Sequence, residues 1–180
     1  MFSDKFSIKG WVEVIVRDKN GNIKYLVKYG RDNPGTALPV GALPTTQVLY
    51  YWRKNIITNA GLAEIVKLVF GLGGTAFKYL AIGTGTTAET ASDTALEAEI
   101  ARKQATITQT TTSVSKDTAL LEATFSSADD LSGTQNISEA GVFNASSGGT
   151  LLARKTFSAV PVNFDAGDSI TIKYYIQFSR

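Results

Sequence analysis

The residues that carry most enzyme chemistry are scarce in this sequence. The 180-residue chain contains no Cys and no His, which excludes disulfides, thiolate metal sites and His-activated nucleophiles. Catalysis would have to rely on carboxylates, Lys or Tyr. The closely spaced carboxylates are Asp129 with Asp130 and Glu97 with Glu99. The first pair precedes a turn-like Leu-Ser-Gly stretch, and nothing places two carboxylates across a cleft, as glycoside hydrolysis requires. The sequence therefore predicts no catalytic residues, no metal ligands and no enzymatic activity.

One glycine-rich segment could bind a cofactor. Residues 83–88 (GTGTTA) match the dinucleotide fingerprint and follow an apolar run. In such sites the glycines form a tight turn that places pyrophosphate at a helix N-terminus. Residues 86–93, however, are polar and lack the apolar face that a packed helix needs. The segment is predicted to be a loop, and no cofactor is predicted.

Aromatic and basic side chains are interleaved in the first third of the chain. The net charge is only +2, but Lys and Arg are in excess in residues 1–60. Rings beside cations can stack on nucleotide bases and contact phosphates, and rings on a β surface can also bind sugars. A solvated hairpin face and ordinary core packing are the simpler interpretations. The predicted contact surface consists of Trp11, Tyr25, Tyr29, Trp52 and Arg53.

The pattern of elements is mainly β. Residues 11–17 alternate, with Val12, Val14 and Val16 on one face, and an Asn-Gly turn at Gly21 joins them to a second strand at residues 23–29. Further strands are predicted at residues 48–54, 77–82, 103–114, 119–125, 137–144, 151–158 and 169–178, with one or two helical turns at 94–100.

One main helix is predicted at about residues 59–70. Thr58 or Asn59 can serve as its N-cap, and Gly71 follows as a C-terminal stop. Its apolar positions recur at helical spacing, so we expect them to face the core. These positions are Leu62, Ile65, Val66, Val69 and Phe70.

These elements predict an antiparallel β-sandwich, jelly-roll-like, with one main α-helix and an N-terminal β-hairpin plus an extended arm. The hairpin takes residues 1–30, the arm residues 31–47 and the sandwich domain residues 48–180. The arm contains three of the four prolines, and its apolar residues have neither strand nor helix period. We expect it to lie on a neighbouring subunit, the alternative being a long loop over its own domain. The predicted assembly residues are Pro34, Leu38, Pro39, Val40, Leu43 and Pro44.

Six segments occur in an order that resembles virion structural proteins of tailed bacteriophages and tailed archaeal viruses. They are residues 55–62 (NIITNAGL), 79–85 (YLAIGTG), 93–102 (DTALEAEIAR), 137–143 (ISEAGVF), 149–154 (GTLLAR) and 168–172 (DSITI). The order is similar to that in tail- or collar-fibre docking domains and in short stand-alone particle proteins.

The resemblance implies a non-enzymatic protein without cofactors that assembles on the virion. It would be a capsid decoration or vertex protein, or a tail or baseplate-fibre adaptor. Its expected partners are itself, in a trimer or larger ring, and other capsid or tail proteins. Carbohydrate binding, as an adhesin for a host surface glycan, is the first alternative function, and nucleic-acid binding is the second.

The expected location is the virion. The start of the chain has no basic region followed by a long apolar run, and no apolar run is long enough to span a membrane. We therefore expect synthesis in the host cytoplasm and no membrane partner.

Overall fold

A computed structural model describes residues 6–29, 47–51 and 55–180. These residues form two antiparallel sheets and one α-helix, which confirms the predicted β-sandwich. The strands are β1 (Ser7–Arg17), β2 (Ile23–Tyr29), β3 (Gln47–Tyr51), β4 (Ile56–Ile57), β5 (Tyr79–Gly83), β6 (Glu99–Gln104), β7 (Thr106–Thr110), β8 (Thr118–Phe125), β9 (Thr134–Phe143), β10 (Leu151–Asn163) and β11 (Ser169–Ser179). The helix is α1 (Asn59–Val69), and short 3₁₀ turns lie at Ser127–Asp129 and Phe164–Ala166.

The first sheet has the strand order β3-β2-β1-β11-β8-β7, and the second has the order β4-β10-β9-β5-β6. All neighbours are antiparallel except β2 and β3, which run parallel. Strand β1 pairs with β11 over its whole length, from Ser7 opposite Ser179 to Arg17 opposite Ser169. The N-terminal hairpin is therefore built into the same sheet as the last strand.

The predicted hairpin of β1 and β2 is confirmed. At its turn, the Asp18 carboxylate accepts hydrogen bonds from the backbone N–H groups of Asn20 at 2.8 Å and Asn22 at 2.9 Å. Gly21 adopts φ 84°, a left-handed conformation that disfavours residues with a Cβ. The Asn-Gly turn predicted from the sequence therefore closes the hairpin.

The core lies between the two sheets. The sequence alternation predicted which side chains are buried in the core from residues 12 to 16 of β1 and from residues 170 to 176 of β11. In these stretches every second side chain is buried between the sheets, and the intervening ones lie on the outer side of the sheet. From the second sheet, β5, β9 and β10 contribute the opposing layer. The fully buried core side chains include Val12, Val14, Val16, Leu80, Ile82, Phe125, Ile137, Val142, Ala153, Val162, Ile170, Ile172 and Tyr174.

Two predicted elements were wrong. Residues 103–114 are not one strand, because the chain passes from the second sheet to the first at Ala105, whose N–H donates to the Lys78 carbonyl at 2.8 Å. Alternation continues across this point, so the pattern gave no sign of the break. Residues 94–98 contain bends instead of helical turns, and residues 99–100 already belong to β6. There the N–H groups of Glu97 and Ala98 donate to the Glu139 side chain, at 3.1 and 2.8 Å, instead of to carbonyls one turn back.

Candidate assembly surface

Helix α1 begins and ends as its capping residues predicted. The Thr58 hydroxyl accepts a hydrogen bond from the Gly61 N–H at 2.9 Å, which satisfies one of the free donors of the first turn. Phe70 is the C-cap, and Gly71 follows with φ 65°. The helix and its bounds are therefore local consequences of the sequence.

The side of the helix that faces the core was predicted wrongly. Of the five apolar positions, only Ile65 packs against the core. The others are open to solvent, up to 71% of the residue surface for Phe70, and so is the nearby Leu72 at 66%. We call the exposed set the α1 apolar face. It consists of Leu62, Val66, Val69, Phe70 and Leu72.

A glycine sets how the helix is seated. A Cβ on Gly61 would lie 2.7 Å from the Cα of Leu152 in β10, closer than real Cβ contacts come. The backbone N–H of Thr58 also donates to the Leu152 carbonyl at 2.9 Å. Because only glycine permits this approach, the side of α1 that carries Gly61 is the side that meets the sheet.

A charged residue completes the packed side of the helix. Glu64 is buried, and its carboxylate accepts hydrogen bonds from the Thr75 N–H at 2.6 Å, the Lys67 ammonium at 3.1 Å and the Asn144 amide at 3.3 Å. The Thr75 and Lys67 hydrogen bonds lower the pKa of Glu64 despite its burial. Because these hydrogen bonds satisfy its carboxylate, Glu64 is buried, although hydropathy alone would place a glutamate in solvent.

The α1 apolar face carries almost no charge. In residues 59–76 the only charged side chains are Glu64 and Lys67, and their charged atoms pair with each other at 3.1 Å. Large contiguous apolar patches are uncommon on monomeric proteins and usually mark a contact surface. The geometry therefore makes this face the strongest candidate site in the described residues.

The predicted aromatic and basic surface is only partly described. Trp11 lies on the outer side of the first sheet, 9% exposed, with its ring stacked on Tyr175 at 5.0 Å. Tyr25 pairs with Val16 and packs against the core, so it lies on the opposite side of the sheet. The structure does not bring Trp11 and Tyr25 together.

For the remaining predicted site residues, the structure does not describe the side chains. The backbone of Tyr29 lies in β2 opposite Val12. Trp52, Arg53 and all six predicted arm residues fall outside the described ranges. The assembly arm and the contact surface therefore stay predictions.

The glycine-rich loop at residues 83–88 binds a carboxylate of the protein itself, that of Glu139. The Glu139 carboxylate, which is fully buried, accepts hydrogen bonds from the Gly85 N–H at 3.0 Å and from the N–H groups of the residues just before β6. A Cβ on either Gly83 or Gly85 would lie 2.5 Å from the same carboxylate oxygen. The glycines of the apparent dinucleotide fingerprint thus make room for Glu139.

Arg154 joins this carboxylate to the rest of the loop. Arg154 is 3% exposed, and its guanidinium donates to Glu139 at 2.9 Å, to Asp93 at 2.8 Å and to the Thr87 carbonyl at 3.1 Å. Burial would raise the pKa of Asp93, but hydrogen bonds from Thr90 and Arg154 outweigh it and lower that pKa. Burial likewise would lower the pKa of Arg154, and its two carboxylate partners raise it instead. We call Glu139, Arg154 and Asp93 the loop network.

Sequence reasoning missed the loop network. Glu139 and Arg154 stand inside apolar strands, and a charged residue in such a run is the one signal that could have found them. Because they belong to different strands, only the pairing of β9 with β10 brings them together.

Neither a metal-binding cluster nor a membrane-spanning helix lies in the part of the chain that the structure describes. There, no group of three or more Asp or Glu side chains is arranged to hold a metal ion. No helix within these ranges has both the length and the apolar character to cross a bilayer. Comparisons with protein-family models, curated proteins and solved structures gave no match.

Proposed function

We propose that this chain is a non-enzymatic structural component of a tailed virus particle and assembles on the virion as a homo-oligomer. The observation that carries the proposal is the α1 apolar face. Its side chains, such as Val69 at 67% exposure, are left in water by the described part of the fold. Exposed apolar area is costly in water, and association with another protein surface removes that cost.

The order of the six segments supports the viral part of the proposal. That order resembles virion structural proteins, and a mainly β sandwich is compatible with them. The proposed position is a capsid decoration or vertex site, or an adaptor for a tail or baseplate fibre.

The buried charges support a structural role over a catalytic one. The loop network brings titratable groups together, but Glu139 is enclosed by backbone N–H donors and by Arg154. A catalytic acid or base needs a proton that it can exchange with a substrate. Here the hydrogen-bonding capacity is used to hold a loop on the sheet.

Mass spectrometry of purified particles of the virus that encodes the chain tests the proposal. We expect the protein in intact particles at a fixed ratio to the major structural proteins. Separated heads and tails should then show it in one fraction only. Finding the chain in infected cells but not in washed particles would overturn the proposal.

A further inference from the structure

We infer that two copies of this chain pair through helix α1, antiparallel across a two-fold axis near Val66. The inference rests on the proposed homo-oligomeric function and names its contact surface and its partner, a second copy. It follows from the spacing, the sizes and the charges of the exposed side chains.

The spacing is that of a helix–helix seam. Leu62, Val66 and Val69 recur at i, i+4 and i+7, so they form one row along the exposed side of α1. Rows of this kind interdigitate when two helices pack. The helix of 11 residues is about 16 Å long, enough for a contact of three turns.

The sizes of the exposed side chains fit an antiparallel pair. The first half of the helix exposes the small Ala60 and Ala63 beside Leu62, whereas its end exposes Val69 and Phe70. With Val66 on the axis, Phe70 of one copy lies over Leu62 and Ala63 of the other. A parallel pair would set Phe70 against Phe70 and leave the alanines facing a gap. Large side chains over small ones are what close packing requires.

The charges are compatible with a second copy and argue against nucleic acid and anionic membranes. In a two-fold contact each charge near the axis meets its own copy, so a face with unpaired charges would repel itself. The only charges in this segment, Glu64 and Lys67, neutralise each other at 3.1 Å. Nucleic acid or an anionic membrane would need free cations, and this face offers none beyond the paired Lys67.

The contact is small, and its size predicts how it works. One face of a three-turn helix buries only a few hundred Å² per copy, against about 800 Å² per partner in a typical stable complex. We therefore expect concentration-dependent pairing in solution. On a particle, where subunits already lie side by side, the high effective concentration would make the same contact effective.

A single-cysteine variant tests the pairing directly. The natural chain contains no Cys, so Val66→Cys adds the only thiol, and at the axis it meets its own copy. We expect mild oxidation to give a disulfide dimer as the main product. Val114→Cys is the matched control, because Val114 is exposed to 53% and Val66 to 50% and it lies between β7 and β8. Equal cross-linking of the two variants would overturn the inference.

Two further variants test the orientation. In an antiparallel pair Leu62→Cys approaches Phe70→Cys, so a mixture of the two should cross-link several-fold faster than either variant alone. Faster cross-linking of each variant with itself indicates a parallel pair and overturns the inference.

A charge at the axis separates failure of the pairing from failure of the proposed function. Val66→Glu should abolish concentration-dependent association in analytical ultracentrifugation and leave the melting temperature within a few degrees of the parent. A chain that still oligomerises as Val66→Glu, or that never cross-links at residue 66, overturns the α1 pairing but leaves assembly on the virion standing. A chain that pairs through α1 and is absent from particles overturns the proposed function alone.

Discussion

The loop network and the α1 apolar face reverse the usual distribution of side chains. In the first region Glu139 and Arg154 are buried, while in the second Phe70 is 71% exposed. The difference lies in hydrogen bonding and in how closely the backbones approach each other. Four donors surround the Glu139 carboxylate. At α1, Gly61 and Glu64 take the packed side that larger apolar residues would otherwise occupy. In these two regions burial follows satisfied hydrogen bonds and steric fit, even against side-chain hydropathy.

The largest expected effect comes from removing the charge at the centre of the loop network. Glu139→Ala should reduce the free energy of unfolding by about 3–5 kcal/mol, because Arg154 and several backbone donors remain buried without their acceptor. Urea denaturation followed by circular dichroism measures the loss.

The control for this variant is a charge pair on the outer side of the first sheet. Glu122 pairs with Lys173 at 3.2 Å, and both side chains are partly exposed. Glu122→Ala should cost less than about 1 kcal/mol. Similar losses for the two variants would mean that Glu139 is not the anchor described above.

The second-largest effect is a loss of stability at a helix position where helix propensity alone predicts a gain. Gly61→Ala should destabilise the protein by about 1–3 kcal/mol, because the new Cβ meets the backbone of Leu152. In a solvated helix the same change would stabilise by about 1 kcal/mol. Ala63→Gly, at an exposed position of the same helix, should show only the propensity cost. Thermal unfolding of both variants compares the two sides of α1, and a stabilised Gly61→Ala would show that the helix is not seated this closely.

Lowering the pH should weaken the stabilisation by the loop network and leave the contribution of the α1 apolar face unchanged. The pKa of Asp93 is lower in the folded protein than its ordinary value of 3.8. The unfolded chain therefore takes up the proton first as the pH falls. The stability that Asp93 contributes is complete above pH 3.8 and is lost as the pH falls through the lowered folded value. The difference in unfolding free energy between the parent and Asp93→Asn should thus narrow on acidification.

Val66→Ser is the matched variant for the acid experiment, since it changes no titratable group. Its difference from the parent should stay constant over the same pH range. Urea titrations at neutral and acidic pH give both comparisons, and a constant difference for Asp93→Asn would show that Asp93 is not stabilised as an anion.

The smallest effect is expected on the α1 apolar face itself. Val66→Ser and Phe70→Ser should each change the unfolding free energy of the monomer by no more than about 0.5 kcal/mol, since half or more of each residue is already exposed to water. Ile65→Ser, on the neighbouring packed side, should cost clearly more. Differential scanning calorimetry in dilute solution checks this, and a large loss at Val66 would place that residue in the folded core.

Local features of the sequence determined most of the fold. The alternation of Val12, Val14 and Val16, the turn at Gly21 and the cap at Thr58 each depend on neighbours a few residues away. Patterns of this kind specify which face of a strand is apolar and where a helix starts. For that reason the hairpin, the bounds of α1 and most of the strands could be predicted within a few residues, whereas the short β4 and the break between β6 and β7 could not.

The candidate site was only half visible in the sequence. Helical spacing identified Leu62, Val66, Val69 and Phe70 as one apolar set, but it assigned them to the core. Assembly was predicted instead for the proline-rich arm, and Trp11 with its aromatic neighbours was predicted as a contact surface for sugars or nucleic-acid bases. Periodicity shows that residues share a side of a helix, and it does not show what that side will meet.

The tertiary structure decided which side of α1 packs and which charges are buried. Glu64 finds its partners 11 and 80 residues away, at Thr75 and Asn144. Glu139 finds Gly85 across 54 residues. The tertiary fold brings these partners together from distant parts of the sequence, so no local pattern can identify them. A carboxylate inside a β-sandwich is tolerated because distant backbone donors surround it, and an apolar helix face is left in water because a glycine and a carboxylate fit the sheet better.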